Sequence, residues 1–81
     1  MLQKIKVRYF AGLREQSGLS AEDVMTEAKT ARDLYSELSR RYGFHLAEGL
    51  LKVSVNREYQ SFDSAIKDGD ELVFIPPVSG G

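Results

Sequence analysis

The sequence contains no cysteine, a single histidine, and only two prolines, which stand side by side near its end. Without cysteine there is no disulfide framework, no thiolate nucleophile and no thiolate metal site. His45 is the only imidazole and the carboxylates are scattered, so the clustered ligands that zinc or di-iron chemistry needs are missing, and no metal site is expected. His45 reads instead as a loop residue beside a helix end. None of the serines lies in a Gly-x-Ser-x-Gly context, which removes that nucleophile arrangement. Neither sign of charge is in excess: eleven basic against twelve acidic residues give a net charge of -1, and nothing recommends nucleic acid or an anionic membrane as a partner. No apolar run approaches the ~20 residues of a membrane span. The opening Met1-Leu2-Gln3-Lys4-Ile5-Lys6 leads straight into a strand pattern without the apolar core of a signal peptide, so a cytoplasmic protein is expected. By elimination, the one chemically distinctive group is the carboxylate of the last residue.

What is present is a small domain of ordinary composition, with 42% apolar and 28% charged residues. Its 81 residues leave room for one core. At ~0.05–0.15 kcal/mol per residue its stability should be roughly 4–12 kcal/mol. The last ten residues, Leu72 to Gly81, carry no charged side chain. Four apolar residues form a strand-like run, and Pro76-Pro77 stop it because each lacks an N–H and fixes φ. The chain therefore divides into a folded part, residues 1–75, and a tail, residues 76–81. Gly80 and Gly81 have no Cβ, so they can pass through a tunnel too narrow for any other residue. Six extended residues reach roughly 20 Å, far enough to carry the terminus into a partner's active site. The two prolines stiffen the base of the tail and lower the entropy lost on insertion.

Along the chain, Lys4 to Tyr9 alternates polar and apolar with period two, which predicts a half-buried strand with Ile5, Val7 and Tyr9 facing the core. Phe10 falls on the solvent side with Lys4, Lys6 and Arg8, either covering the next turn or joining a contact surface. Gly12 and Gly18 bracket a short helical turn at most. The stretch from Ser20 to Ala28 is ambiguous. Ser20-Ala21-Glu22-Asp23 has the form of a capping box and local propensity slightly favours helix, yet Val24, Thr26 and Ala28 also alternate as one face of a strand. Thr30 as N-cap, Asp33 at N3, an apolar stripe through Ala31, Leu34, Tyr35, Leu38 and Tyr42, and Gly43 as stop predict a helix over 31–42. Phe44 to Leu50 reads as an irregular connection. Leu51 to Val55 alternates again, Asn56-Arg57 is a turn, and residues 58–62 return as a short strand. Asp68-Gly69-Asp70 is a turn signal before the last strand, 71–75. Leu72 and Phe74 point one way, Val73 and Ile75 the other. A single helix cannot cover both faces of a small sheet, so an exposed apolar patch that a partner covers is predicted, including Ile75, Phe10 and Tyr59. The element order gives an α+β sheet with one main helix on one face.

These residues bear a resemblance. Phe74-Ile75-Pro76-Pro77-Val78-Ser79-Gly80-Gly81 resembles the F-x-P-P-V-[ST]-G-G ending of the molybdopterin synthase small-subunit family, ubiquitin-like β-grasp sulfur carriers. Val55-Asn56, Ser61-Phe62-Asp63, Asp68-Gly69-Asp70-Glu71, and Ile5-Lys6-Val7 leading to Phe10-Ala11 and Arg14-Glu15 match in type and spacing, so the likeness spans the chain. It implies a β-grasp fold with a mixed sheet of four to five strands, one main helix and an extended C-terminal tail, and it makes residues 22–28 the second strand of the opening hairpin. It also implies a chemistry. An E1-like adenylating enzyme would spend ATP to convert the Gly81 carboxylate to an acyl-adenylate. A persulfide-bearing sulfurtransferase would supply sulfur, leaving a thiocarboxylate at Gly81. Pro76, Pro77, Val78, Ser79 and Gly80 would guide insertion into a large catalytic subunit, in the family a heterotetramer of two large and two small subunits. There the sulfur would pass to cyclic pyranopterin monophosphate to build the dithiolene of the molybdenum cofactor. No permanently bound cofactor is implied, only covalent sulfur at Gly81, and the chain would be no enzyme on its own. The same activated carboxylate suits a protein modifier, with Gly81 joined to lysines, and a third reading is an interaction module with an inert tail.

Overall fold

The computed structural model describes residues 1–76. Residues 3–9 form β1 (Gln3–Tyr9), and its alternation is realised: Ile5, Val7 and Tyr9 are buried while Lys4, Lys6 and Arg8 are exposed. After Phe10 comes a helix, α1 (Ala11–Ser17), close to two turns where at most one was expected. Gly12 disfavours it by about 1 kcal/mol, but Leu13 is fully buried, and the Phe10 carbonyl accepts from the N–H groups of Leu13 and Arg14. Gly18, at φ 77°, closes it by donating to the Arg14 carbonyl at 2.9 Å.

The ambiguous stretch is a strand, β2 (Ala21–Thr26), antiparallel to β1. The capping-box reading fails there because tertiary pairing decides: every residue of β2 has a partner on β1, and Val24 and Thr26 are buried while Asp23 and Met25 are exposed. The strand ends two residues before Ala28, where the Thr26 hydroxyl accepts from the Ala28 N–H at 3.0 Å and donates to Glu37 at 2.6 Å.

The helix α2 (Ala31–Tyr42) has the predicted bounds. Thr30 Oγ1 accepts from the Asp33 N–H at 3.1 Å, and Gly43 at φ 70° donates to the Ser39 carbonyl at 2.7 Å. His45 lies exposed just past that cap. The connection to β3 (Lys52–Val55) contains one 3₁₀ turn, Glu48–Leu50. A two-residue turn with both Asn56 (φ 52°) and Arg57 (φ 72°) left-handed leads to β4 (Glu58–Gln60), and β5 (Glu71–Ile75) closes the fold.

The five strands lie in the order β2-β1-β5-β3-β4, with β5 central, parallel to β1 and antiparallel to β3. This mixed sheet wrapped around one main helix is the ubiquitin-like β-grasp, with α1 as an added short helix. The core lies between the sheet and α2. It contains Leu34 and Leu38 of the helix, and Tyr35 rings against Phe74 (5.2 Å between centroids) and Phe44 (5.8 Å). The Tyr9 and Tyr42 hydroxyls both donate to Glu22 Oε2 at 2.6 Å. Burial pushes the Tyr9 hydroxyl well above its usual pKa and Tyr42 upward as well, with the Glu22 hydrogen bond adding to both.

Candidate partner-docking face and tail anchor

Strand β5 leads to the Pro-Pro-Val-Ser-Gly-Gly sequence, and the turn before it sets its register. Gly69, at φ 90°, donates to the Lys4 carbonyl at 2.8 Å, the Lys4 N–H donates to Asp68 Oδ1 at 2.7 Å, and the Lys6 N–H donates to the Asp70 carbonyl at 3.0 Å. Asp70 is itself buried, accepting from the Lys67 N–H at 2.8 Å and from Asn56 Nδ2 at 2.9 Å. The Glu71 N–H then donates to Asn56 Oδ1. With its start fixed to both neighbours, β5 runs through the middle of the sheet and ends at Ile75, directly before Pro76. Pro76 is half-buried; Pro77, Val78, Ser79, Gly80 and Gly81 lie outside the described residues.

Helix α2 covers one face of the sheet only. On that face Leu72 and Phe74 are fully buried; Val73 and Ile75 point to the open face and are half-buried. The pairings arrange the open face in rows. Ala21, Arg8, Val73, Ser54 and Tyr59 lie across one row, and Asp23, Lys6 and Glu71 across the next. Ile75 pairs with Lys52, and Phe10 is one step past the Tyr9–Phe74 pair, next in register to Ile75. Phe10 keeps an extended backbone (φ −129°, ψ 155°) before the chain turns at Ala11, so β1 ends on an aromatic half exposed to solvent. Tyr59 is 73% exposed. The three residues assigned to an apolar patch thus share one face, and Tyr59 and Ile75 line a hollow of about 190 Å³ together with Ser54 and Arg57.

Sequence reasoning missed two parts of this face. Val73 belongs to the apolar strip, although its alternation with Leu72 and Phe74 had already turned it outward. The surrounding charges are the other part. Arg8 Nε contacts Glu71 Oε2 at 2.7 Å and Arg57 Nε approaches Glu71 Oε1 at 3.9 Å. The Arg8 guanidinium beside Glu71 holds its carboxyl below the usual carboxylate range. Period two places Arg8 outside, but only the strand order brings it beside Glu71, 63 residues further along the chain. Among the described residues no group of three or more His, Asp or Glu side chains could hold a metal ion, and no described helix is long and apolar enough to cross a membrane.

The model of the ThiS family matches residues 7–81. The chain belongs to the ThiS family. It is 40% identical over 80 residues to the molybdopterin synthase sulfur carrier subunit of Escherichia coli, covering 95% of this chain and 99% of that one. In three dimensions it is similar to a putative molybdopterin converting factor subunit 1 from Pyrococcus furiosus, with a TM-score of 0.75 and 32% identity over 94% of this chain and 99% of the other. It is also similar to a chain of the complex of subunits 1 and 2 of the molybdopterin-converting factor from Helicobacter pylori, with a TM-score of 0.64 and 25% identity over 98% of this chain and 100% of the other. The ThiS match runs to Gly81, so the family pattern includes the Pro-Pro-Val-Ser-Gly-Gly ending.

Proposed function

We propose that this chain is the sulfur carrier subunit of a molybdopterin synthase, with Gly81 as the group that bears the sulfur. The observation that carries the reading is likeness to a carrier subunit along essentially the whole chain, joined to a central strand that ends at the base of a Pro-Pro-Val-Ser-Gly-Gly tail. A carboxylate is a poor acyl donor because oxide is a poor leaving group. In the proposed route a Gly81 carboxylate oxygen attacks the α-phosphorus of ATP on an E1-like adenylating enzyme and pyrophosphate leaves. The terminal sulfur of a persulfide-bearing sulfurtransferase then attacks the acyl carbon and AMP leaves. A thiol cleaves the remaining S–S bond, giving the thiocarboxylate and a disulfide. The chain needs no cysteine for this, since sulfur rides on the terminus.

The open face docks on the large catalytic subunit, and Pro76 to Gly80 carry the thiocarboxylate into that subunit's active site. There it donates sulfur to cyclic pyranopterin monophosphate. The chain is then a carrier and no enzyme alone, holds no permanent cofactor, and works in the cytoplasm beside its ATP-dependent partner. The test is intact-mass spectrometry after incubation with the cognate adenylating enzyme, ATP and a persulfide donor. The expected result is a gain equal to sulfur replacing oxygen, absent when Gly81 is deleted. ATP-dependent conjugates to lysines, with no thiocarboxylate, would move the chain to the protein modifiers. No change with a demonstrably active enzyme would leave an interaction module.

A further inference from the structure

The open face differs in charge from the rest of the molecule. Lys4, Lys6, Arg8, Lys52 and Arg57 lie on it against Asp23 and Glu71, five cations against two carboxylates, hence +3. The side chains of the whole chain sum to −1, so everything outside this face carries −4. Asp68 stands at the rim, on the Lys4 N–H. The cations nearest the end of β5 flank the apolar strip: Arg8 is paired with Val73, Lys52 with Ile75, and Arg57 shares a hollow with Ile75 and Tyr59. Glu71 neutralises Arg8 at 2.7 Å, but Arg57 reaches it only at 3.9 Å with 88% of its side chain exposed, and Lys52 has no ion-pair partner among the described residues.

A partner that covers Val73, Ile75 and Tyr59 must also cover Lys52 and Arg57. A neutral or basic cover would strip water from two cations and return nothing, which is strongly unfavourable. We propose that the open face selects an acidic docking surface, with Arg57 and Lys52 meeting partner carboxylates at the edge of the apolar strip and Glu71 standing in for one of them in the free chain. The inference rests on the carrier reading above, and the partner is the large catalytic subunit. Charges of this kind act mainly on encounter: they steer the two faces together and fix their register before the tail enters.

The experiment is stopped-flow association of the full chain with its cognate large subunit, from about 0.01 to about 1 M salt, over which the screening length falls from about 30 to about 3 Å. The association rate should fall at least about tenfold across that range. Arg57→Glu and Lys52→Glu should each slow association by about 3- to 10-fold at low salt and converge on the unsubstituted chain at high salt. Arg40→Glu changes net charge equally but sits at an exposed position of α2, on the other side of the sheet, and should slow it by less than about twofold. Glu71→Gln should speed association by freeing Arg8 and Arg57. Rates that ignore salt, an Arg40→Glu effect as large as that of Arg57→Glu, or slower association of Glu71→Gln would overturn the acidic-partner inference while leaving the carrier reading standing. Failure of every variant to bind the large subunit at any salt would sink both.

Discussion

Tyr9 on β1 donates its hydroxyl to Glu22 Oε2 on β2 at 2.6 Å, one diagonal step from the backbone pair Val7–Glu22. The bond closes the edge of the core where the opening hairpin meets the end of α2, and Tyr42 donates to the same oxygen from the helix side. Its effect on stability depends on pH. In the folded chain burial and Glu22 keep the Tyr9 proton on well above 10.0, whereas an unfolded tyrosine releases it near that value. Above about pH 10 the unfolded state therefore binds fewer protons than the folded one, and stability falls as pH rises. Urea unfolding of wild type and Tyr9→Phe at a series of pH values isolates this effect from the lysines common to both. Tyr9→Phe should be less stable by about 1–2 kcal/mol at neutral pH. The gap should close by up to about 1.4 kcal/mol per pH unit above about 10. A gap that stays constant from pH 9 to 11, by the rough reference value for tyrosine, would show that Tyr9 does not hold its proton this way.

The Arg8–Glu71 pair has the opposite sign. The folded-state carboxyl of Glu71 is held below its ordinary 4.5 by the Arg8 guanidinium, so the contribution it makes is present above that value and is lost as pH falls through the lowered one. Carboxyl NMR titration should place the Glu71 midpoint below 4.5, and Arg8→Gln should move it back upward. Both side chains touch water, so melting temperature should hardly respond. A Glu71 midpoint indifferent to Arg8→Gln would break the assignment.

Neighbouring residues on β5 separate folding from docking. Phe74 is fully buried, stacked on Phe62 at 6.0 Å and tilted on Tyr35 at 5.2 Å, whereas Val73 faces the open side. Phe74→Ala should cost about 3–5 kcal/mol, a large share of a total of roughly 4–12 kcal/mol. Val73→Ala should cost under about 1.5 kcal/mol, since its surroundings are already half solvent. Urea midpoints at equal slope give both values directly. Equal losses at the two positions would mean that the open face carries as much of the fold as the core.

Much of this fold is readable where one local rule acts alone. Thr30, Asp33 and Gly43 bound α2 because caps are chemistry of single residues, and Ile5, Val7 and Tyr9 declare their strand by period two. Residues 21–26 are not readable that way, because Ser20 to Asp23 satisfies a helix cap while Val24 and Thr26 satisfy a strand, and only pairing with β1 decides. In α1 the local signal fails for the reverse reason: Gly12 speaks against a helix that the burial of Leu13 enforces. The open face is half legible. Phe10, Tyr59 and Ile75 are visible as apolar residues without cover. The approach of Arg8 and Arg57 to Glu71 is invisible, since it depends on β5 lying between β1 and β3.

Arg57 links stability and docking in a way one substitution can separate. With Asn56 it forms a two-residue hairpin turn in which both residues are left-handed, at φ 52° and 72°. Asparagine tolerates that region and its side chain is used, since Asn56 Nδ2 donates to Asp70 and Asn56 Oδ1 accepts from the Glu71 N–H. Arginine gains nothing comparable: it is exposed, and its contact with Glu71 is 3.9 Å long. A non-glycine residue in the left-handed region costs roughly 1–2 kcal/mol, and the greater entropy that glycine loses on folding offsets about 0.5–1 kcal/mol of the relief. Arg57→Gly should therefore raise unfolding free energy by about 0.5–1 kcal/mol, since Asn-Gly is the preferred pair for this turn. The same change removes a cation from the rim of the docking face, so association with the large subunit should slow although the fold is more stable. Urea unfolding and stopped-flow association on one protein sample measure the two together. A variant that is more stable and also binds faster would show that the residue is kept neither for its turn nor for its charge.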